Sequence, residues 1–222
     1  MWNAADDIGS VELLHSMGDD LMVVNAARVS FDKESKFFTA GDGKLIQYLA
    51  KHDHVSPFFH PQIQFRVKMP IFVAREWYRH QIGFSRNEVS RRYVDSTPEC
   101  WVPNADSLRE RDPKLKQGSK ATIIANSEVV HSWISGHTDN SVALYEQLLE
   151  QGVAPEIART VLPQSMYTEF IETGSLAAYA RLYKLRTCPE AQREIQAYAQ
   201  AIGTILVEKF PFSWAALISS SE

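Results

Sequence analysis

The stretch from Arg75 to Arg92 reads Arg-Glu-Trp-Tyr-Arg-His-Gln-Ile-Gly-Phe-Ser-Arg-Asn-Glu-Val-Ser-Arg-Arg and concentrates the groups of this chain best able to do chemistry. Arg75, Arg79, Arg86, Arg91 and Arg92 are set against only Glu76 and Glu88, a basic patch in a chain of formal net charge -4. A guanidinium fork matches two phosphate oxygens at once, which a lysine ammonium does not. The pattern points to a phosphorylated small molecule gripped by a turn between two ordered elements. Alternatively, the arginines pair with carboxylates on the surface, where each pair contributes only about 0–1 kcal/mol. Ser90 is either a nucleophile or a phosphate donor. No Gly-x-Ser-x-Gly elbow frames it, and a hydroxyl beside Arg91 and Arg92 suits donation to a phosphate oxygen. Glu88 either accepts from a sugar hydroxyl or pairs with a neighbouring arginine.

Two further arginines lie far along the chain. Arg159 sits in the otherwise apolar Glu-Ile-Ala-Arg-Thr-Val-Leu-Pro, and Arg186 ends Ala-Arg-Leu-Tyr-Lys-Leu-Arg. A cation at a helix C-terminus is favoured by the helix dipole alone. Its functional alternative is a charge aimed at negative charge developing on a substrate. His52, His54 and His60 cluster around Asp53, and imidazoles are common metal ligands. No cysteine or second carboxylate lies close by, and alternate spacing at a helix end need not converge. A polar helix cap, or ligand contact by His54 or Ser56, is the better expectation, and no metal is expected.

The elements that must position these groups follow from periodicity. Gly43–His52 carries Leu45, Ile46, Tyr48 and Leu49 at helical spacing. Gln62–Met69 alternates, with Ile63, Phe65, Val67 and Met69 on one face, and predicts a half-buried antiparallel strand. Pro70 stops it and opens a helix through Gln81, which Gly83 ends before the arginine turn. Asp106–Lys120 reads as a surface loop, and Ala121–Gln151 as a long helix with a break around Gly136. Pro155 opens a helix that Pro163 closes, Ser165–Thr173 alternates as a second strand, and Ser175 caps a helix over Leu176–Leu185. A final helix runs from Pro189 through Val207. Helices segregated around an antiparallel sheet make the chain α+β.

At 222 residues and 45% hydrophobic content, the chain is expected to form a single domain over residues 1–222. A sequence pI of about 6.0 disfavours general nucleic-acid binding, yet a local basic patch still suits one nucleotide. Cys100 and Cys188 form neither a disulfide framework nor a zinc spacing. No apolar run approaches the roughly 20 residues that span a bilayer, and no leader pattern opens the chain. A cytoplasmic protein without membrane or nucleic-acid partners is the expectation.

These pieces together resemble the flavin-dependent thymidylate synthases. That family's hallmark is Arg-His-Arg, seven or eight residues, then Ser and an Arg-Tyr pair. Here it stands as Arg79-His80-Gln81, eight residues, then Ser90-Arg91-Arg92-Tyr93. The likeness extends to Ala26-Ala27-Arg28-Val29-Ser30, His54-Val55-Ser56-Pro57-Phe58 and Phe72-Val73-Ala74-Arg75-Glu76-Trp77. Further on it takes in Ala158-Arg159-Thr160-Val161-Leu162-Pro163, Tyr167-Thr168, Thr173-Gly174-Ser175-Leu176, Leu185-Arg186 and Ala191-Gln192-Arg193-Glu194-Ile195. It therefore covers roughly residues 12 to 210 in order. The rival without catalysis is a phosphate-sensing or RNA-binding module that uses the same arginines.

The resemblance implies methylation of dUMP to dTMP. Methylenetetrahydrofolate would give the carbon, NADPH would reduce a bound FAD, and tetrahydrofolate would be released. It implies no cysteine nucleophile, and a homotetramer with sites shared between subunits. Arg186 matches the arginine that promotes uracil ionisation. Glu76, Trp77, Tyr78 and Arg79 match one wall of the dUMP site. Glu88, Val89, Ser90, Arg91 and Arg92 match the loop around that nucleotide, and Arg159 adds a cation. Flavin contacts fall on Ser30, His54, Ser56, Arg79, His80, Gln81 and Glu88, with Ser175, Leu176, Ala177 and Arg181 from the second half. Four departures stand out. Gln81 replaces the third hallmark arginine, Glu76 a common glutamine and Arg91 a small residue. An Asn and an Arg seen in some relatives are missing around Ser175 and Ala177, where Arg181 compensates from one turn along.

Overall fold

The computed structural model describes residues 1–94, 96–114 and 118–219. In chain order the elements are β1 (Trp2–Asn3), β2 (Ser10–Met17), α1 (Asp20–Arg28), α2 (Ala40–Lys51), β3 (Gln62–Pro70), α3 (Ile71–Trp77), β4 (Phe84–Glu88), β5 (Arg109–Arg111) and β6 (Ser119–Ile123). They continue as α4 (Ser127–Glu150), α5 (Pro155–Ala158), β7 (Tyr167–Ser175), α6 (Leu176–Arg186), α7 (Arg193–Lys209) and α8 (Pro211–Ser219). One sheet runs in the order β1-β2-β3-β7-β4, and β5 pairs antiparallel with β6 in a second. The α+β class with an antiparallel sheet holds.

By contacts, the chain forms two compact units. The first comprises Met1–Val67, Glu76–Asn87 and Phe170–Glu222, the second Lys68–Arg75 and Glu88–Glu169. In the first, Phe65 meets Tyr179 edge-on at 5.3 Å, and Phe84 meets the same ring at 4.9 Å. Tyr183 packs edge-on against Trp214 at 5.2 Å, and Gly203 is bare because a Cβ there would stand 2.3 Å from the Tyr183 ring. The buried Asp20 carboxylate accepts from the amides of Phe212 (3.0 Å) and Ser213 (2.8 Å), holding the start of α8 from the start of α1. In the second unit, Phe72 packs on Trp101 at 5.2 Å, and the ring nitrogen Nδ1 of His131 on α4 meets the carbonyl of Pro103 at 2.8 Å.

The alternating strands appear with the expected phase. Ile63, Phe65, Val67 and Met69 of β3 are fully buried, and β7 buries Thr168, Phe170, Glu172 and Gly174. Ser175 caps α6 as expected, its Oγ accepting from the Ala178 amide at 3.2 Å.

Elsewhere the boundaries move. The helix after Pro70 ends at Trp77, not Gln81, because the chain there closes into tight turns: His80 N–H to the Trp77 carbonyl, then Phe84 N–H to the Gln81 carbonyl. Half of the expected arginine turn is strand β4, whose backbone is satisfied by sheet pairing that side-chain periodicity does not report. The expected loop over 106–120 contains the β5–β6 hairpin, held by Lys120 to Glu110 (2.9 Å) and Arg109 Nε to Ser119 Oγ (2.7 Å); residues 115–117 lie outside the described residues. The long helix therefore starts at Ser127 rather than Ala121. It passes Gly136 without a break, that glycine facing open space. The helix expected from Pro189 begins at Arg193 and is not the last, since α8 follows. No helix among the described residues is long and apolar enough to cross a membrane.

The residue that sequence reasoning did not single out is Glu172, fully buried on β7. Its two carboxylate oxygens each lie 3.2 Å from Nε1 of the equally buried Trp77, and Arg86 Nε of β4 donates to one of them. The Arg86 guanidinium lies over the Tyr78 ring (5.4 Å) and the Phe84 ring (4.8 Å). Burial pushes the Glu172 carboxyl up, against the pull of Arg86 and of the Trp77 and Tyr179 hydrogen bonds. A carboxylate on the core phase of an alternating strand demands a buried donor set, and that is the signal by which it is legible. Removing one partner strands the other. Glu172→Ala is predicted to cost about 3–5 kcal/mol in denaturant unfolding, whereas Arg86→Met combined with Glu172→Leu recovers most of that loss. A single variant as stable as the parent would show that the pair is not a structural tie.

Candidate active site

In the first unit the hallmark segment meets the end of α6. Arg186, the last residue of that helix, directs Nε to His80 Nε2 at 2.8 Å, Nη1 to the Glu76 carboxylate, and Nη2 to the Glu76 carbonyl at 3.4 Å. Both side chains of the ion pair are mostly shielded, at 18% and 23% exposure, yet neither is sealed off. Accepting from Arg186 requires a lone pair on His80 Nε2, so its ring proton sits on Nδ1. Burial and then the neighbouring charges of Arg186, Arg86 and Arg181 drive the imidazole down to about 4, keeping it neutral. Glu76 and His80, four residues apart, thus form one cluster with Arg186 about a hundred residues further along the chain.

The turn between His80 and β4 is seated on the N-terminal part of α6. Gly83 has φ +83°, and a Cβ there would come within 2.9 Å of the Ala178 Cβ and 3.2 Å of the Ser175 Oγ. The Ser175 amide donates to the Gly83 carbonyl at 3.1 Å, and Arg181 Nη2 donates to the Ile82 carbonyl at 2.6 Å. Arg181, expected to face a flavin, therefore braces the hallmark turn. Arg79 and Gln81 project from that turn as exposed donors. Trp77, expected on a nucleotide wall, carries its side chain entirely beneath the surface, spent on Glu172. Ser175 and Leu176 likewise commit their side chains to the N-cap and the core, and Ala177 is buried.

Ser30, His54 and Ser56 lie on exposed turns of the same unit. No hydrogen bond or ring contact joins them to the Arg186 cluster among the described residues. His54 stands edge-on to Tyr48 at 6.1 Å, and Tyr48 also meets His52 at 4.3 Å, so these rings close the end of α2. The turn carrying Ser30 is braced by Arg28, which donates to Ser35 Oγ and pairs with the buried Asp42 at 2.6 Å. Burial opposes ionisation of Asp42, but the Thr39 hydrogen bonds and Arg28 outweigh it and hold the carboxyl below its usual range.

The second unit holds the other half of the arginine stretch. Glu88 accepts from Thr168 Oγ1 at 2.6 Å, and the Val89 amide donates to the Glu169 carbonyl at 2.9 Å. Ser90 then organises a tight turn: its carbonyl accepts from Tyr93 N–H at 3.0 Å, and its Oγ lies 3.3 Å from the Arg92 amide. Arg91 Nη1 donates to the Ser96 carbonyl, and Arg92 reaches Glu156 of α5 at 3.4 Å, both ends of that pair half-exposed. The link ties α5 to the arginine turn, and Arg159 follows Glu156 by one turn of chain. Arg159 carries no ion pair among the described residues. Exposed cations around a serine hydroxyl and turning backbone make a surface suited to an anion. Cys100 in the same unit is half-buried, and burial pushes its thiol up to about 11, which disfavours the nucleophilic thiolate.

Residues 12–212 match the family model described as thymidylate synthase complementing protein. A flavin-dependent thymidylate synthase of Thermus thermophilus is 42% identical over 210 residues, covering 95% of this chain and 76% of that protein. One from Thermotoga neapolitana is 43% identical over 212 residues, covering 96% and 92%. Among solved structures, the UMP/dUMP methylase PolB from Streptomyces cacaoi, bound with 5-Br dUMP, superposes with a TM-score of 0.84 at 33% identity over 94% of each chain. A match that takes in both compact units, the hallmark turn and the arginine at the end of α6 places the chain in the flavin-dependent thymidylate synthase family.

Proposed function

We propose that this methyltransferase converts dUMP to dTMP, taking its carbon from methylenetetrahydrofolate and its reducing equivalents from NADPH through a bound FAD, and releasing tetrahydrofolate. The observation that carries the reading is the fixed orientation of Arg186. Three contacts to Glu76 and His80 hold it, and two of its five N–H donors remain for a ligand. A cation held in advance where negative charge develops on the pyrimidine lowers the barrier without reorganising at the moment of reaction. The thymidylate synthase relatives, and the methylase neighbour bound with 5-Br dUMP, support a uracil deoxynucleotide as substrate.

In this reading Glu76, Tyr78 and Arg79 line the uracil side, with Trp77 supporting them from behind. Glu88, Val89, Ser90, Arg91, Arg92 and Arg159 hold the sugar and phosphate. When bound, FAD supplies hydride chemistry at its nitrogen 5. The residues present suit its anionic pyrophosphate and polar ring edge: Arg79 and Gln81 are exposed donors, His80 is neutral, and Ser30, His54 and Ser56 are accessible. Ser175, Leu176, Ala177 and Arg181 contribute by seating the hallmark turn, and Glu88 by its carboxylate. The high thiol pKa of Cys100, and the Cys188 Sγ lying 3.1 Å from the Leu185 carbonyl, support a route without a cysteine nucleophile. We further propose that residues 1–222 act as one domain within a cytoplasmic homotetramer that shares its sites. Exposed Val129, Trp133 and Leu144, spaced along α4, and exposed Phe31 and Phe37 support association.

Three outcomes are expected. Arg186→Ala sharply reduces dTMP formation while the yellow flavin stays bound; full activity in that variant removes the assigned role. Arg92→Ala weakens dUMP binding by about 1.5–3 kcal/mol, as for a charge-assisted hydrogen bond, and unchanged affinity by calorimetry contradicts the phosphate contact. His80 gives a stability signature. Its native pKa of about 4 lies below the ordinary 6.5, so between those values the unfolded chain binds a proton that the native one refuses. Stability is therefore fully present above about pH 6.5 and falls as the pH drops towards 4. His80→Gln, which keeps an acceptor for Arg186, flattens the acid-side slope of the melting temperature, and an NMR titration midpoint near 6.5 for His80 would refute the assignment.

A further inference from the structure

We propose that Arg91 is a positioning residue, strapping the Ser90–Tyr93 turn shut so that it meets the nucleotide's phosphate already formed. The inference rests on the function assigned above, in which that turn grips dUMP. On both sides of the turn the chain is tied to β7 and to the residues leading into it. The Val89 amide donates to the Glu169 carbonyl at 2.9 Å. On the far side, the Tyr167 amide donates to the Glu99 carbonyl and the Trp101 amide to the Ser165 carbonyl, each at 2.8 Å. Thr97 Oγ1 adds a bond to the Glu146 carboxylate of α4 at 2.7 Å. Between these anchors the turn is closed by the Tyr93 amide on the Ser90 carbonyl at 3.0 Å, at the protein surface where water competes for both groups.

Arg91 supplies a second closure. Its Nη1 donates to the Ser96 carbonyl and lies 3.5 Å from the Ser96 Oγ, a chord from one flank of the turn to the other. Its charge also pulls the Cys100 thiol down against burial, which puts the guanidinium on the side of the returning chain. Arg92, the next residue, diverges to Glu156. The adjacent cations thus divide the work. Arg92 stays half-exposed in a weak pair that a phosphate can displace, while Arg91 is committed to a carbonyl. A turn closed only part of the time offers its binding geometry for that fraction alone, and apparent affinity falls by the same factor. Closing it beforehand removes the loss and spares the ordering entropy on binding. A small residue, which Arg91 replaces, has no donor for Ser96. The strap therefore tightens the grip on phosphate without being needed for the chemistry, which the family carries out with a small residue there.

The test compares the full-length, flavin-loaded parent with Arg91→Ala, following dUMP binding by stopped-flow flavin fluorescence. The association rate constant is expected to fall about 5- to 20-fold while the dissociation rate constant changes by less than about twofold, because bound nucleotide holds the turn in place of the strap. The KM for dUMP rises by the same factor, and kcat stays within about twofold of the parent. In the ligand-free variant, hydrogen exchange at the Tyr93 amide accelerates. Unchanged dUMP affinity overturns the proposal, and so does Tyr93 exchange at the parental rate. A loss of affinity carried by faster dissociation also overturns it, since that marks a direct phosphate contact. Absence of dUMP binding to the parent would instead overturn the function on which the proposal rests, and the parent's own titration reports that independently.

Discussion

The ion pair that ties Arg86 to Glu172 sets a constraint on everything around it. Glu172 is placed by the alternation of β7 on the face that water does not reach, so its charge must be met from within. Two donors meet it, the indole of Trp77 at the end of α3 and the guanidinium of Arg86 on β4. These two residues bracket Tyr78–Gly83, the turn that carries the hallmark. Fixing both ends of a short connection restricts its middle, where His80 meets Arg186. The Arg86 ring contacts to Tyr78 and Phe84 add dispersion on both flanks of the same turn.

A single helix then does two jobs. The first turn of α6 receives the hallmark turn, because Gly83 lacks the Cβ that would strike Ala178 and Ser175, and Arg181 reaches back to the Ile82 carbonyl. The last residue of α6 delivers Arg186 to Glu76 and His80. Ten residues of α-helix are about 15 Å of stiff rod, so the spacing between the brace and the cation is set by geometry that loops do not provide. Placing a cation at the C-terminus also adds the favourable helix-dipole term, whatever its chemistry.

Strands β3 and β7 were legible in the sequence because alternation is a local signal and both carry it over their whole length. The α6 cap was legible for the same reason, a serine placed just before an apolar run. What stayed hidden needed a partner. Strand β4 carries a single apolar residue, Phe84, too few to show an alternation, and exists through its place beside β7 in the sheet, while β5 and β6 are short and mutually paired. The arginine stretch was recognisable as chemistry from residue type alone, but its division was not. Arg86 serves Glu172, Arg91 serves the Ser96 carbonyl, and Arg92 reaches Glu156, so the cations that looked alike in sequence have separate structural employments. Trp77 and Leu176 carried motif signals, yet their side chains are buried; a motif marks a position without saying which atoms face the ligand.

The departures from the family pattern look different once these partners are known. Losing the arginine at position 81 removes a cation from the hallmark, yet His80 remains surrounded by the charges of Arg186, Arg86 and Arg181. Each of these is answered differently: Arg86 by a fully buried carboxylate, Arg181 by a carbonyl dipole, and Arg186 by a carboxylate that is still partly accessible. Only the last pair can exchange its partner for a ligand at modest cost, because breaking a buried pair strands a charge whereas a shielded surface pair re-solvates. A fourth arginine at 81 would add positive charge beside a histidine that must stay neutral to accept from Arg186. Glutamine there keeps the donor and omits the charge, so Gln81 and Glu76 shift the charge balance in one direction. Both make the surroundings of Arg186 less positive.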